Sequence, residues 1–465
     1  MCDCRLSRSS LVRVERSSSS RISPMSQSSL VTSSSNTSIL SAPSVSPSNL
    51  EPLQAPVTAA FFAFVGESAS PVTDIFSVSF MQTYLKTSIP VRAVVKTIGN
   101  ICLEIQGCTD LGSKKSAAAA VMAKDRSKLN EFLEQLIAPD SHDQHVMLLY
   151  GMLKIYADLM SSENCAYFHD TCSRLAAKVR EQLEQRQQNP VLYFDKGLLM
   201  NFSLFLSFWS LLSFKDHPFS GIEAYDPLPY EDIDSLTGEI RINSAVFHHY
   251  VKFMENFAHL HYRVFKWVPK ARSALKDRHL TGEASTEDLK EILVTSGLMQ
   301  KGKKIVESSA PGVHAMENLC SRGYGDDDND NESEKPDFYI LREAFYRYCV
   351  MGLTRIFADP VWQLVDENLP HVGDVLDIEA LSEFIRERFA QRLQVVGMEA
   401  LSHLIVFISV GIESRMPKNR ERVIELFDEV KRKGFVGANT FFADVELFWK
   451  TNLTIPTDAI RRRKG

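Results

Sequence analysis

The chain has 465 residues, of which 44% are hydrophobic and 24% charged, with 21 glycines and 19 prolines. That length suits two or three domains, and the apolar share excludes disorder throughout as well as collagen-like or low-complexity structure. The net charge of -6 excludes a globally basic protein, so any binding of a polyanion has to be concentrated locally.

Residues 1–50 hold 19 serines, five arginines, two acids and no lysine. A segment with so little to bury is expected to be disordered, and we place a Ser/Arg-rich arm over 1–55. The same composition also fits an organelle transit peptide. No apolar stretch follows its basic residues, so a secretory signal is not expected. Val57–Val65 and Phe76–Phe80 are the only plausible short strands, and either segment can equally be helical.

From residue 110 onward, apolar residues recur at three-to-four spacing between helix stops. The pattern predicts helices over 114–138, 142–160, 166–188 and about 191–214. Gly197–Phe214 is 18 residues without a charge, the lower limit for spanning a bilayer. Four serines and Asn201 interrupt it, which favours a helix buried in a protein core, and no membrane partner is expected. These elements form an N-terminal helical lobe over 56–214.

Residues 215–240 carry three prolines and two glycines and read as a linker. A second helical lobe is expected over 241–450, with helices near 244–265, 286–296, 338–357, 378–396, 400–412, 419–433 and 440–450. Ser285 and Asp288 have the spacing of a capping box. An acidic loop occupies 321–337 and a basic tail 451–465. No repeat of 20–50 residues is visible, which disfavours a solenoid. The expected fold is therefore all-α, with two lobes between a disordered arm and a short basic tail.

Catalytic patterns are absent. Gly297 to Lys303 matches GxxxxGK, but Lys304 stands where a Ser or Thr should hold magnesium, and the preceding segment reads as a helix. Asp326, Asp328 and Asp330 fit the first positions of a calcium loop, yet Asn331 replaces its glycine and Asp337 its glutamate. His248, His249, His259, His261 and His279 show no i, i+4 pair, no HExxH occurs, and no CxxC is found among the eight cysteines. Neither an enzyme nor a cofactor is expected, and the thiols are expected to be reduced.

Charge is distributed unevenly. Residues 241–279 carry Arg241, Lys252, Arg263, Lys266, Lys270, Arg272, Lys276 and Arg278 against Glu255 and Asp277, giving +6 inside an acidic chain. Lys301, Lys303 and Lys304 follow. Phe247, Tyr250, Phe253, Phe257, Tyr262, Phe265 and Trp267 interleave these cations. Cations release counterions from phosphates, and aromatic rings stack on unpaired bases. Lys252, Arg263, Lys266, Lys270, Arg272, Lys276, Arg278, Lys303 and Lys304 are thus the candidate contacts to single-stranded RNA. The spacing of Phe247, Tyr250, Phe253, Met254 and Phe257 also fits a buried helix face.

A basic Ser-rich arm, two helical lobes, a basic aromatic segment after the linker and a basic tail together resemble the organisation of RNA-virus nucleocapsid and coat proteins. The resemblance runs loosely over 1–465 and transfers no functional residue. It implies that the chain packages single-stranded RNA, self-associates into oligomers through exchanged arms, and resides in the virion and host cytoplasm. The alternative is a non-enzymatic helical scaffold or effector acting through protein contacts, with an organelle destination if the arm is a targeting segment.

Overall fold

The computed structural model describes residues 53–66, 70–139, 141, 143–162, 165–188, 196–222, 239–276, 278–281, 284–309, 340–367, 369 and 378–451. Of the expected arm only 53–55 are described, of the linker 215–222 and 239–240, and of the basic tail 451; the acidic loop lies outside them. Among the described residues every regular element is helical, as the periodicity predicts. The two possible strands are helical as well. Pro56 in the first turn starts α1, Ala55–Val65, and Ser77 caps α2, Val78–Thr87.

The next helices open on side chains that accept from orphan backbone amides. Ser88 caps α3, Ile89–Gln106, Asp110 caps α4, Leu111–Ile137, and Asp143 caps α5, Gln144–Ser161. Then come α6, Ala166–Gln188, and α7, Lys196–Ser213. α5 and α7 are apolar on nearly every side and are buried on nearly every side. The charge-free stretch from Gly197 is therefore a core helix. No helix among the described residues is long and apolar enough to cross a membrane.

The chain resumes with α8, Glu239–Leu275, a 37-residue helix about 55 Å long at 1.5 Å per residue. The short helix α9, Arg278–Thr281, leads into α10, Thr286–Thr295, and α11, Leu298–Glu307, both of which fold back on α8. The capping box is present: Asp288 N–H donates to Ser285 Oγ at 3.1 Å, and Ser285 N–H to Asp288 Oδ2 at 3.3 Å. α12, Leu341–Ile356, and α13, Ile378–Leu393, pack as a pair, with α12 also against α8. α14, Leu404–Glu413, α15, Pro417–Arg432, and α16, Ala438–Thr451, complete the fold.

The two expected lobes share one continuous apolar core. Tyr156 of α5 meets Phe205 of α7 at 5.3 Å between ring centroids and Phe435, just past α15, at 6.3 Å. Gly437 N–H donates to Leu159 O at 2.9 Å. Helices from both sides of 215–240 thus contribute to the same interior.

Two charged clusters sit inside that core. Lys154 Nζ donates to Asp158 Oδ2 at 2.9 Å and to Thr171 Oγ1 at 3.0 Å. Arg392 Nε and Nη2 donate to Glu399 Oε1 and Oε2 at 2.9 and 2.7 Å, while His403 Nε2 lies 3.0 Å from Oε1. Arg392, Glu399 and His403 are 0%, 1% and 2% exposed, so water screens none of these contacts.

Candidate nucleic-acid interface

α8 carries most of the predicted contacts. Its inward face is Phe247, Tyr250, Val251, Met254, Phe257, Val264, Trp267 and Ala271, all buried. At 100° per residue, Lys252, His259, Arg263, Lys266 and Lys270 fall within about 60° of one another on a different face. Two acids that neighbour residues of this stripe are engaged. Asp216 Oδ1 lies 2.7 Å from His259 Nδ1, and buried Glu255 receives Lys252 Nζ at 3.0 Å. The charge of Lys252 is therefore committed to an internal carboxylate.

α11 widens the stripe. Trp267 Nε1 donates to Leu298 O at 3.0 Å, and Arg263 Nη1 donates to Ser308 Oγ at 3.0 Å. These contacts run α11 antiparallel to α8 and set its Lys301–Lys304–Ser308 edge beside Arg263. Lys266, Lys270, Lys301 and Lys304 are exposed and form no ion pair with the described residues. Lys266 Nζ sits 5.5 Å from the Tyr262 ring centroid, a cation–π distance. Arg263, Lys266, Lys270, Lys301 and Lys304 thus make one positive strip. α10, packed against both helices, carries Glu287, Asp288 and Glu291 and bounds it.

The other predicted cations lie off this strip. Arg272 projects from the opposite side of α8 and pairs with Asp359 Oδ2 at 2.6 Å. Lys276 follows the end of α8 with φ +49°, and Arg278 opens α9. Lys303 is exposed on the far side of α11 from Arg263. Of the seven interleaved aromatics, Phe247, Tyr250, Phe253, Phe257 and Trp267 are core. Trp267 stacks on Trp362 at 4.3 Å. Only Tyr262, half-buried, and Phe265, 45% exposed, are available at the surface.

The GxxxxGK match is a helix-packing feature. Gly297 has φ +68°, the left-handed region glycine favours, and breaks the chain between α10 and α11. Gly302 lies inside α11, where a Cβ would come within 2.9 Å of Trp267 Cζ2 and 3.0 Å of Val365 Cγ2. Its amide is inside a helix and cannot line a phosphate loop.

The histidines serve separate local roles. Burial, followed by Lys196 and His249, holds the His248 imidazole down to about 4. His217, Ser203 and Glu255 meet in the core but do not form a nucleophile relay. The Ser203 hydroxyl donates to the Glu255 carboxylate, and His217 Nε2 faces the Ser203 backbone carbonyl at 3.4 Å. Among the described residues no group of three or more His, Cys, Asp and Glu side chains is arranged to hold a metal ion. The calcium-loop pattern at 326–337 lies outside them.

Sequence reading did not single out Phe214, at the end of α7, whose ring lies 4.9 Å from that of Phe265. Its only signal in the sequence is a large aromatic beside the charged pair Lys215–Asp216. No protein family, curated protein or solved structure matches this chain.

Proposed function

We propose that the protein binds single-stranded RNA along the α8–α11 strip and packages it, as a nucleocapsid or coat-type protein, in an oligomeric assembly. The observation that carries this reading is the strip itself. An acidic chain has Arg263, Lys266, Lys270, Lys301 and Lys304 on one side of two packed helices, and none of the five has a carboxylate partner among the described residues. Unpaired, exposed cations retain their full counterion-release contribution toward phosphates, whereas Lys252 and Arg272 have spent theirs inside the protein.

Anisotropy with a fluorescent twenty-residue oligouridylate, titrated from 50 to 300 mM salt, tests the proposal. Five phosphate contacts give a slope of log affinity against log salt of about -3.5, at about 0.7 per contact for single strands. Absence of binding at 50 mM salt, or binding with a slope near zero, refutes it. Sedimentation of the complex reads the assembly: discrete multimers on RNA support packaging, and monomers at saturating RNA contradict it.

A further inference from the structure

We infer that Phe214 and Phe265 form a stacking site for an unpaired nucleobase, an inference that rests on the RNA reading above and names how the site tells RNA from a bare polyanion. One ring follows the end of α7, the other stands on α8, and the two meet at the surface. Their centroids are 4.9 Å apart with planes inclined at 37°, and His261 lies 5.4 Å from Phe214. Phe214 is 49% exposed and Phe265 45% exposed, so about half of each residue is open to water. Burial lowers the His261 imidazole, which favours the uncharged form of the third ring.

Phe214 is held in an unusual conformation. It stands just past the end of α7 with φ +51°, where helices most often place glycine. A bulky residue there is a conformational outlier, and such outliers concentrate where a side chain is being aimed.

The charge around the rings selects the occupant. Lys215, next in the chain, sits with Nζ 4.9 Å from the Trp209 ring centroid. Round α8 the order is Phe265, Tyr262, Lys266, at 100° per residue. Each exposed ring is followed in the chain by an exposed lysine, Lys215 after Phe214 and Lys266 after Phe265, and this pairing fits a flat apolar group attached to a negatively charged backbone, which describes an unpaired nucleotide. A purely apolar peptide would leave those lysines unanswered, and a base-free polyanion would leave the rings unanswered.

The test compares a labelled uridine ten-mer with a base-free ribose-phosphate ten-mer of equal charge. The intact protein should prefer the uridine ligand by about tenfold, the scale of one stacked base. Phe265→Ala and Phe214→Gly should each bring that preference toward one while leaving the base-free affinity and the salt slope as they were. Phe214→Gly also relieves the left-handed strain, so it should melt no lower than Phe214→Ala, which separates loss of the ring from loss of the fold. Lys266→Glu with Lys270→Glu, in contrast, should weaken both ligands alike.

Equal binding of the two ligands by the intact protein overturns the stacking site and leaves the strip standing. So does a preference that survives both ring variants. Ring variants that change only self-association in sedimentation make the patch a protein-docking face and overturn the inference. Failure of the intact protein to bind either ligand overturns both the inference and the reading beneath it.

Discussion

Replacing Glu399 by glutamine keeps the side chain's shape and removes its charge. Arg392, fully buried and bonded to both carboxylate oxygens, then loses the counter-charge that Glu399 supplies. Breaking a buried pair this way costs about 3–5 kcal/mol. The pH dependence gives a second route to the size of the effect. Burial alone would raise the Glu399 carboxyl, but hydrogen bonds from Arg392 and His403 outweigh it and hold the group down to about 2 from the ordinary 4.5. At 1.36 kcal/mol per pH unit, that gap is worth about 3 kcal/mol. Because the folded value is depressed, the contribution is complete above pH 4.5 and is lost as pH falls toward 2. Urea unfolding followed by helical circular dichroism should show Glu399→Gln less stable than the parent by about 3 kcal/mol at pH 7, with the difference shrinking between pH 4.5 and 2.5. Replacing Arg392, Glu399 and His403 together by apolar residues of similar volume should cost less than the single change. A Glu399→Gln variant within 1 kcal/mol of the parent at pH 7, or a difference constant down to pH 2.5, would refute the argument.

Gly302→Ala should destabilise the α8–α11 contact by about 1–3 kcal/mol, since the new Cβ would meet Trp267 and Val365 at about 3 Å, and a thermal melt checks this. The same geometry predicts no magnesium-dependent binding of ATP or GTP at micromolar ligand in equilibrium dialysis, and tight binding lost on Lys303→Ala would overturn it. Lys154→Ala leaves the buried Asp158 carboxylate with Thr171 but without its cation. It should cost about 3–5 kcal/mol in urea unfolding, and a loss under 1 kcal/mol would mean that Asp158 is neutral in the fold. Deleting residues 1–50 should leave the melting of the helical core nearly unchanged and reduce assembly on RNA in sedimentation; normal assembly with an altered cellular destination would make the arm a targeting segment.

Most helices beyond residue 110 are legible because amphipathic periodicity, proline and capping residues agree. The segment 166–188 closes at Asn189–Pro190, and the Ser285 box marks its helix start directly. α1 to α3 are harder to read. Valines, isoleucines and phenylalanines in Val57–Val65 and Val91–Ile105 suit strands as well as buried helices, and only the surrounding helices decide. A charge count finds the basic segment but does not say where each charge points. Lys252 turns to Glu255, an i, i+3 pair on the same helix, whereas Arg272 turns to Asp359 through a contact that only the folded chain creates. Five of the seven interleaved aromatics are core because α8 has to bury one face. The ring pair at the surface joins residues 51 positions apart, and no local pattern announces it.

The most direct test of the account is the salt slope of single-stranded RNA binding by Lys266→Glu, Lys270→Glu, Lys301→Glu, measured against the unaltered protein. These three residues are exposed and unpaired, so helical circular dichroism should not change. The account predicts weaker binding at every salt concentration and a slope shallower by about 2, from three lost phosphate contacts at about 0.7 each. An affinity and slope equal to those of the unaltered protein would contradict it and remove the strip from any role in binding RNA.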